Sequence, residues 1–365
     1  MTSRWLSLGL AALALAQSGS SATVHAAASA QLSTVPPRAA PSQARPQLAR
    51  APIYLANRVD QLGRAFNGRV GIAVQSVDEN WSTDWNGNEL SPQQSVSKLW
   101  VAITALDAVD KGRVRLNDTV TLTRGDLTLF HQPIAARILG GGTTMSLSEL
   151  MFQALTKSDN TCNDKLMRSV GGPDAVRAMI QAKGLGAIRF YNGERSLQSR
   201  IAGLTWTPSY SIGRAFYEAR NALPMSVRRA AFNRYIEDPY DGASANAIVS
   251  ALARLKRGEL LSPQSTARLL RIMSQTSTGK NRLRGGLKAG WSLSHKTGTG
   301  QVLGSTQAGY NDIGILTAPD GRSYSVAVMI KKTSTALPVR MKLMNNVVEA
   351  VISQHEMRYS PSTSL

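Results

Sequence analysis

Ser95 and Lys98 stand three residues apart, a spacing that places a hydroxyl and an amine on the same face of a helix. A serine hydroxyl with a base beside it is a candidate nucleophile. Apolar residues recur at helical spacing from Val96 to Leu106, and Gly112 is a typical stop, so we predict a helix that opens at Ser95. Unpaired backbone N–H groups gather at a helix N-terminus, where they would stabilise an anion that forms on an attacked carbonyl.

The Ser-x-x-Lys spacing occurs again at Ser277 and Lys280, in a glycine-containing stretch without an apolar helical period, which we interpret as a loop. The spacing alone therefore does not identify a catalytic site. Two further motifs follow Ser95 along the chain. A Ser-Asp-Asn run at 158–160 lies between two predicted helices, and a Lys-Thr-Gly run at 296–298 ends a predicted strand.

The three motifs, in this order, resemble those of the class A serine β-lactamases, in the superfamily of β-lactamases and penicillin-binding proteins. The resemblance extends from about Ile53 to the end of the chain and includes the runs TGKNRL at 278–283 and NDIGI at 311–315. It implies that the protein hydrolyses a β-lactam amide through an acyl-enzyme on Ser95.

The resemblance also implies roles in proton transfer for Lys98, Ser158 and Glu194. Burial and the like charge of Lys296 would disfavour the ammonium form of Lys98, so that a neutral amine would accept the proton of Ser95. Lys98 and Glu194 remain alternatives for that step. Ser158 would pass a proton to the leaving lactam nitrogen.

Further residues match positions that bind substrate in this family. Asn160 would hold the amide of the substrate's side chain, and the backbone N–H groups of Ser95 and Thr299 would form the oxyanion hole. A planar guanidinium suits the carboxylate that β-lactams carry, and Arg282 matches one position at which the family places an arginine. The remaining members of the predicted substrate-binding set are Gln198, Lys296, Thr297 and the Thr299 side chain.

Glu194 separates a hydrolase from a protein that traps its acyl group. Hydrolysis of an ester on Ser95 needs a base that takes a proton from an incoming water, and the spacing from Ser158 to Glu194 resembles the family's own. Two nearby residues depart from the family pattern. Gln198 stands where an Asn is common, and Asn192 replaces an Arg whose ion pair commonly closes this loop.

Two alternatives to a β-lactamase stay open on the sequence. One is a penicillin-binding D,D-peptidase or related serine hydrolase with slow deacylation, and the other is a non-enzymatic module that accepts an acyl group or binds peptidoglycan. The ligand would be a small β-lactam or a peptidoglycan-like molecule. A Glu194 that points toward Ser95 favours the β-lactamase, and one that is drawn away favours the alternatives.

The segment between Glu194 and Lys296 is longer than in the family, and the surplus lies at about 200–238. Two helices at 211–223 and 225–236, separated by a proline, are predicted there. The segment is basic, with six arginines against three acidic residues. It would cap the site, bind a partner or decorate the surface, and we expect decoration.

Some other residues are less informative. Phe130 and His131 lie about where the family keeps an aromatic gate, although His131 fits a surface loop equally well. We expect Cys162 to be a small core residue and His295 to face away from the side chain of Lys296 on the same strand.

The order of the predicted elements indicates the fold. Strands at 68–75, 81–85, 291–296, 310–316 and 323–330 lie at both ends of the chain, so both ends must share one sheet. The other predicted helices are 53–66, 146–157, 160–170, 173–182 and 339–355. We predict an α/β fold: an antiparallel sheet flanked by N- and C-terminal helices, with an inserted all-helical lobe at about 95–285. The catalytic domain would span 51–358, followed by a tail at 359–365.

Composition excludes several classes of protein. The chain of 365 residues carries a formal charge of +19, but its Lys and Arg residues are scattered, so we predict no nucleic-acid partner. Cys162 is the single cysteine, which excludes an intrachain disulfide and removes the Cys/His clusters of a zinc site. We therefore expect no metal and no cofactor, and we expect a monomer.

The N-terminus has the pattern of an export signal. Arg4 is followed by an apolar run from Trp5 to Ala16 and by small residues around 26–30, so we predict a signal peptide at 1–30. The apolar run is too short for a helix that spans a bilayer, which needs ~20 residues. A Pro/Ala/Arg-rich tether would occupy 31–50. These features predict a periplasmic protein without stable membrane insertion.

Overall fold

The computed structural model describes residues 49–359. The predicted signal peptide, the predicted tether up to residue 48 and the tail after Tyr359 lie outside the described residues. Ala49 and Arg50, which the sequence assigned to the tether, form a two-residue strand. No helix within 49–359 is both long enough and apolar enough to cross a membrane.

Strands come from both ends of the described chain, as predicted. They are β1 (Ala49–Arg50), β2 (Arg69–Ser76), β3 (Trp81–Trp85), β4 (Ser91–Pro92), β5 (Thr119–Leu122), β6 (Thr143–Ser146), β7 (Gly242–Ala243), β8 (Ser292–Thr299), β9 (Val302–Leu303), β10 (Thr306–Thr317) and β11 (Ser323–Thr333). Within 49–359, seven of them form one sheet in the order β1-β3-β2-β11-β10-β8, with β9 paired to β10. Its strands are antiparallel except for β1 beside β3, so the predicted antiparallel sheet is confirmed with one parallel pair added.

Helices fill the middle of the chain and flank the sheet. They are α1 (Ile53–Ala65), α2 (Lys98–Asp110), α3 (Ala135–Leu139), α4 (Leu147–Phe152), α5 (Asn160–Ser169), α6 (Gly172–Ala182), α7 (Glu194–Ile201), α8 (Ala215–Ala222), α9 (Met225–Glu237), α10 (Ala245–Lys256), α11 (Pro263–Ser274) and α12 (Leu337–Tyr359). The predicted α/β fold with an inserted, mainly helical lobe is confirmed, but the lobe is not all-helical, because β5 and β6 pair with each other inside it.

Two apolar cores lie on opposite faces of the sheet. On one face, residues of α1 and α12 pack against β2, β10 and β11. On the other face, α10 covers the sheet and the helical lobe packs around α2. Helix α2 is apolar on nearly all sides, a pattern typical of a helix buried on all sides, and its residues Lys98–Ala108 are buried. The site residues at its start are therefore anchored in the lobe's core.

Several predicted boundaries were wrong near the motifs. Ser95 lies in a 3₁₀ turn, Gln94–Ser97, and α2 proper begins at Lys98. The helix predicted at 146–157 ends as α4 at Phe152 and continues as a π-helical turn, Gln153–Lys157, a feature frequent at functional sites. Strand β8 continues to Thr299, so the Lys-Thr-Gly motif lies inside the strand and does not end it.

Candidate active site

The amine of Lys98 lies at the centre of the predicted site. The side chain is fully buried, and Nζ donates to three acceptors: Ser95 Oγ at 2.6 Å, Asn160 Oδ1 at 2.8 Å and Glu194 Oε1 at 2.5 Å. An ammonium group has three N–H donors, so these contacts use all of them. Serine, amine and carboxylate are therefore in direct contact.

The residue before Ser95 has an unusual backbone conformation. Gln94 has a φ of 54°, in the left-handed region that residues other than glycine seldom adopt. Its backbone N–H donates to Asp241 Oδ2 at 2.7 Å, and its side-chain amide donates to the hydroxyl of Tyr235 at 2.5 Å. Asp241 Oδ1 in turn accepts from Tyr235. This buried triangle fixes the turn that carries Ser95.

Strand β8 passes close to the turn that carries Ser95. A Cβ atom added at Gly298 would lie 2.3 Å from the backbone oxygen of Gln93, so the glycine of the Lys-Thr-Gly motif is required by this approach.

The backbone N–H of Thr299 points toward the open edge of β8. Strand β8 is the last strand on the path of the sheet, with β10 on its other side. The N–H of Gly300, the residue after Thr299, donates at 2.8 Å to the backbone oxygen of Gly309, a residue of β10. Because alternate residues of an antiparallel strand direct their N–H groups to opposite sides, the N–H of Thr299 faces away from β10.

The Ser-Asp-Asn motif occupies the turn between the π-helical turn and α5. Ser158 has a φ of 59°, which reverses the chain there. The carboxylate of Asp159 accepts from the N–H groups of Cys162 at 2.9 Å and Ile134 at 2.7 Å, and so joins the turn to the loop before α3. Lys296 Nζ, from β8, donates to Ser158 Oγ at 2.9 Å. The second and third motifs are thus in contact.

Asn160 connects the Ser-Asp-Asn turn to the loop at Leu129. Its Nδ2 donates to Leu129 O at 2.8 Å, while its backbone N–H donates to His131 O. With Oδ1 bound to Lys98, the amide is held on two sides and its orientation is defined.

Glu194 begins α7 and points into the site, where we predicted it. Its backbone N–H donates to both carboxylate oxygens of Asp164, at 3.0 and 3.1 Å. Gly193, at φ 85°, makes this approach possible, since a Cβ there would lie 3.0 Å from Asp164 Oδ1 and 2.9 Å from Met167 Cε. A buried carboxylate on α5 therefore sets the position of Glu194.

Gln198, one turn further along α7, holds the other carboxylate oxygen of Glu194. Its Nε2 donates to Glu194 Oε2 at 3.1 Å and to Gln94 Oε1 at 2.9 Å. Gln301, from the turn after β8, donates to Gln198 Oε1 at 3.0 Å and to its backbone oxygen at 2.8 Å. The inserted segment follows α7 without drawing Glu194 away from Ser95.

Arg282 lies under the strand that carries Thr299. It is 8% exposed, and Nη1 donates to Gly298 O at 3.0 Å and Asn311 O at 2.7 Å. Nη2 donates to Thr299 Oγ1 at 2.6 Å, and the guanidinium carbon lies 3.8 Å from the centre of the Tyr310 ring. The arginine therefore places positive charge directly behind the Thr299 hydroxyl.

Thr297, the middle residue of the third motif, is also buried. Its Oγ1 lies 2.7 Å from the hydroxyl oxygen of Thr278, in the loop that contains the second Ser-x-x-Lys run. Its backbone oxygen accepts from Lys296 Nζ at 2.9 Å.

An open cavity of about 390 Å³ joins these groups. Ser95, Asn160, Glu194, Gln198 and Thr299 all line it. Its remaining lining includes Phe130 and His131, the residues of the predicted gate, together with Arg220, Gly300, Gln301 and Val302.

The inserted segment departs from our expectation of surface decoration. Helices α8 and α9 form on either side of Pro224 as predicted, but α8 begins only at Ala215. Arg220 of α8 lines the cavity, and the α8 residue Phe216 packs edge-on against Phe130 with ring centroids 5.1 Å apart. The segment therefore forms part of the cavity wall.

Burial changes the ionisation of groups around the cavity. Burial raises the pKa of Asp164 to about 6, and the negative charge of Glu194 adds to the shift. Burial also raises the pKa of Asp241 to about 7. Burial and the charge of Lys98 lower the pKa of Lys296 well below its usual value. From the sequence we considered the like charge of Lys296 near Lys98, but we omitted the carboxylate of Glu194, which contacts the amine of Lys98.

Two residues lie outside the predicted chemistry. His295 is fully buried and its Nδ1 lies 2.9 Å from Asp312 Oδ1, on the far side of β8 from Lys296. Cys162 is buried, and burial raises the pKa of its thiol. Residues 49–359 contain no cluster of three or more His, Cys, Asp or Glu side chains that would hold a metal.

Sequence reasoning missed five residues that support the site: Gln94, Asp164, Tyr235, Asp241 and Gln301. Each acts through a contact with a residue far away along the chain, and none lies in a recognisable motif. The left-handed backbone of Gln94 gave no signal, because glycine or asparagine is the usual marker of that conformation.

A model of the β-lactamase enzyme family matches residues 54–355. The chain belongs to the β-lactamase enzyme family. The VEB-1 β-lactamase of Pseudomonas aeruginosa is 24% identical over 292 residues, 80% of this chain and 87% of the relative. PER-1, an extended-spectrum β-lactamase of the same organism, is 28% identical over 84% of this chain and 86% of its own.

Solved structures of this family share the fold. A β-lactamase from Chitinophaga pinensis aligns with a TM-score of 0.68 and 28% identity, covering 82% of this chain and 98% of that one. The TLA-3 extended-spectrum β-lactamase aligns with a TM-score of 0.67 and 25% identity, with the same coverage. These β-lactamase relatives give no support to the D,D-peptidase or to the non-enzymatic module.

Proposed function

We propose that the protein is a serine β-lactamase that opens the β-lactam ring through an acyl-enzyme on Ser95. One observation carries the proposal: the buried amine of Lys98 contacts both Ser95 Oγ, at 2.6 Å, and Glu194 Oε1, at 2.5 Å. The nucleophile and the carboxylate that deacylation needs thus share one base.

In acylation, Ser95 Oγ attacks the carbonyl carbon of the lactam. Lys98 is the group in contact with Oγ, which supports Lys98 as the direct acceptor of its proton. The 2.5 Å contact allows Glu194 to take a proton from Lys98 first, so that the amine is free to accept. The sequence left Lys98 and Glu194 as alternatives, and we propose that they act in series.

Charge that develops on the carbonyl oxygen needs N–H donors. We assign this oxyanion hole to the backbone N–H groups of Ser95 and Thr299. The direction of the Thr299 N–H, toward the open edge of β8, supports the assignment.

When the lactam C–N bond breaks, the leaving nitrogen needs a proton. We assign its delivery to Ser158, whose Oγ accepts from Lys296 Nζ at 2.9 Å. The lowered pKa of Lys296 supports this step, because an amine that releases its proton readily can restore the serine hydroxyl.

After acylation, the proton that Lys98 received replaces the one that Lys296 gave up, and Glu194 returns its own proton to Lys98, so that the Glu194 carboxylate is ionised again. In deacylation, water attacks the ester on Ser95 and Glu194 takes its proton, which passes back through Lys98 to Ser95 Oγ as the ester C–O bond breaks.

Lys98 and Gln198 hold the carboxylate of Glu194, which lines the same cavity as Ser95. Asn160 and Gln198 would contact the acyl side chain, because both line this part of the cavity.

The carboxylate of the β-lactam needs a cation. We propose that the substrate carboxylate binds the hydroxyls of Thr297 and Thr299. Lys296 and Arg282 supply the positive charge behind these hydroxyls, and the Arg282 guanidinium donates directly to Thr299 Oγ1. Arg282 would thus polarise the hydroxyl that meets the substrate and add its own positive charge.

Nitrocefin turnover by the purified protein tests the proposed function. We expect steady hydrolysis by the wild type and a loss on the order of 10⁶ in Ser95→Ala. Ser277→Ala is the matched control, because Ser277 belongs to the second Ser-x-x-Lys run and donates to Thr156 O outside the cavity. Absence of turnover by the wild type, or equal turnover by Ser95→Ala, would refute the proposal.

We also propose export to the periplasm, on the strength of the N-terminal pattern. The intact mass of protein recovered from a periplasmic extract should correspond to cleavage between Ala26 and Ala30. Full-length protein confined to the cytoplasm would contradict this localisation.

A further inference from the structure

Helix α8 of the inserted segment brings Arg220 to the wall of the active-site cavity. Arg220 lines the same space as Ser95, Asn160 and Gln198. Its guanidinium carbon lies 5.3 Å from the ring centre of Tyr217 and 5.9 Å from that of Phe216, so aromatic packing holds the side chain.

Arg220 reaches the cavity without a carboxylate partner among residues 49–359. Its Nε is buried and has no hydrogen-bond partner in the described part of the chain. The acidic residue of α8, Glu218, lies 3.8 Å from Arg214 instead. Because a buried donor normally finds an acceptor, this guanidinium has capacity for a ligand.

A second arginine increases the positive charge near Arg220. Arg228 of α9 shares with Arg220 a small cavity of about 10 Å³ that adjoins the main one at Gln301 and Val302. The Nε of Arg228 is also buried, and no residue within 49–359 accepts a hydrogen bond from it. Two guanidinium groups line this small cavity and no acidic side chain of the described residues does, so the adjoining part of the main cavity favours an anion.

Among the described residues, Glu194 is the one carboxylate that lines the main cavity, and it is already paired with a cation. Glu194 is held by Lys98 and Gln198, so it does not compensate Arg220. The proposed site of the lactam carboxylate is Thr299 of β8, with Arg282 behind it. Arg220 lies elsewhere, on helix α8 of the inserted segment, beside the rings of Phe130 and Phe216.

We propose that Arg220 forms a second anion subsite, which binds a carboxylate on the acyl side chain of the β-lactam. The enzyme would then favour dianionic substrates, with one carboxylate at Arg282 and Thr299 and the other at Arg220. This inference rests on the proposed function, and it adds a substrate class. The apolar rings around Arg220 strengthen the interaction by limiting its contact with water.

Carbenicillin and benzylpenicillin test the subsite, because carbenicillin differs by one additional carboxylate on the acyl side chain. The quantity to measure is the ratio of their kcat/KM values, carbenicillin over benzylpenicillin. Arg220→Met removes the charge and keeps an unbranched side chain that packs on the rings. We expect it to lower the ratio about tenfold, the scale of one hydrogen bond to a charged group.

Two further variants separate charge from structure. Arg220→Lys keeps the positive charge and should recover part of the ratio, and added salt should lower the ratio more in the wild type than in Arg220→Met. Arg229→Ala removes an exposed arginine of α9 that does not line the cavity, and it should leave the ratio unchanged.

The outcomes distinguish this subsite from the proposed function. A wild type that hydrolyses benzylpenicillin, with a ratio that Arg220→Met does not change, overturns the subsite and leaves the β-lactamase intact. A fall in the ratio that is equal in Arg220→Met and Arg229→Ala also overturns the subsite, since such a fall would reflect the overall charge of the protein. A wild type that hydrolyses neither penicillin refutes the proposed function and the subsite with it.

Discussion

Glu194 Oε1 lies 2.5 Å from Nζ of Lys98, and both side chains are buried. Lys98 also donates to Ser95, so a change in the charge of Glu194 reaches the nucleophile through one atom. We therefore propose that one pair of groups serves both half-reactions: as a relay in acylation and, through the carboxylate alone, as the base in deacylation.

Gln198→Asn tests whether Gln198 positions Glu194. Asparagine is shorter by one methylene, so its amide would not span from Glu194 Oε2 to Gln94 Oε1, as Gln198 does. We expect deacylation to slow about tenfold, with a smaller effect on acylation, because acylation runs through the intact Ser95–Lys98 contact.

Stopped-flow kinetics with nitrocefin separates the two steps of the Gln198→Asn enzyme. A burst followed by a slow steady state is the expected signature. Equal slowing of burst and steady state would mean that Gln198 only stabilises the fold.

Arg282→Ala should raise KM for carboxylate-bearing β-lactams more than it lowers kcat. The contact with the substrate carboxylate is similar in the ground and transition states, so its loss weakens binding uniformly. We expect KM to rise about tenfold, the scale of one charge-assisted hydrogen bond. An unchanged KM in steady-state kinetics would remove Arg282 from substrate binding.

Arg282→Ala should also lower stability, because Nη1 of Arg282 donates to the backbone oxygens of Gly298 and Asn311. Loss of a partner for buried acceptors costs about 1–3 kcal/mol. Urea unfolding checks this part, and an unchanged midpoint would contradict it.

Asp241→Asn should change how stability depends on pH. The native pKa of Asp241 is about 7, above the usual value of 3.8 in the unfolded chain. The native state therefore binds more protons than the unfolded state between these values, and the free energy of unfolding falls as pH rises from about 4 to about 7. Asparagine has no proton to lose, so the variant lacks this contribution.

The measurement for Asp241→Asn is the difference in Tm between variant and wild type. The amide nitrogen of asparagine cannot accept a hydrogen bond, so the variant loses one of the two acceptors that serve Gln94 and Tyr235 and is expected to be less stable at pH 5. Its deficit should shrink as pH rises from 5 to 8. A difference that stays constant across this range would contradict the raised pKa of Asp241.

The sequence predicted the elements whose signal is local. Ser95 and Lys98 are three residues apart in sequence, and the apolar residues that follow them predicted α2, the helix in which Lys98 is buried. The strands at both ends of the chain predicted that the two ends share one sheet, since a strand cannot remain unpaired in a core, but they did not predict the order of the strands. The spacing of the motifs, combined with the resemblance, brought Ser158 and Lys296 into the same predicted site.

The rest depended on contacts that no local pattern encodes. Gln94 is separated from Tyr235 by 141 positions, and Asp164 has the appearance of an ordinary polar residue of a helix. Arg220 lies in a segment that composition describes only as basic. Its place in the cavity depends on how α8 packs against Phe130, which tertiary packing decides and periodicity does not.

Glu194→Gln tests the central proposal, hydrolysis through a water that Glu194 activates. The variant should still acylate Ser95 but should accumulate the adduct, because a neutral amide cannot take a proton from water. Loss of a general base costs ~10²–10⁴ in rate. The neutral amide also removes the carboxylate from Lys98, so we expect acylation to slow as well, by a smaller factor.

Intact-protein mass spectrometry, at timed intervals after mixing with benzylpenicillin, measures the adduct directly. We predict a mass increase of one penicillin that persists in Glu194→Gln and clears from the wild type ~10²–10⁴ times faster. If wild type and variant hold the adduct for equally long, Glu194 does not activate water, and the protein binds penicillin without acting as a β-lactamase.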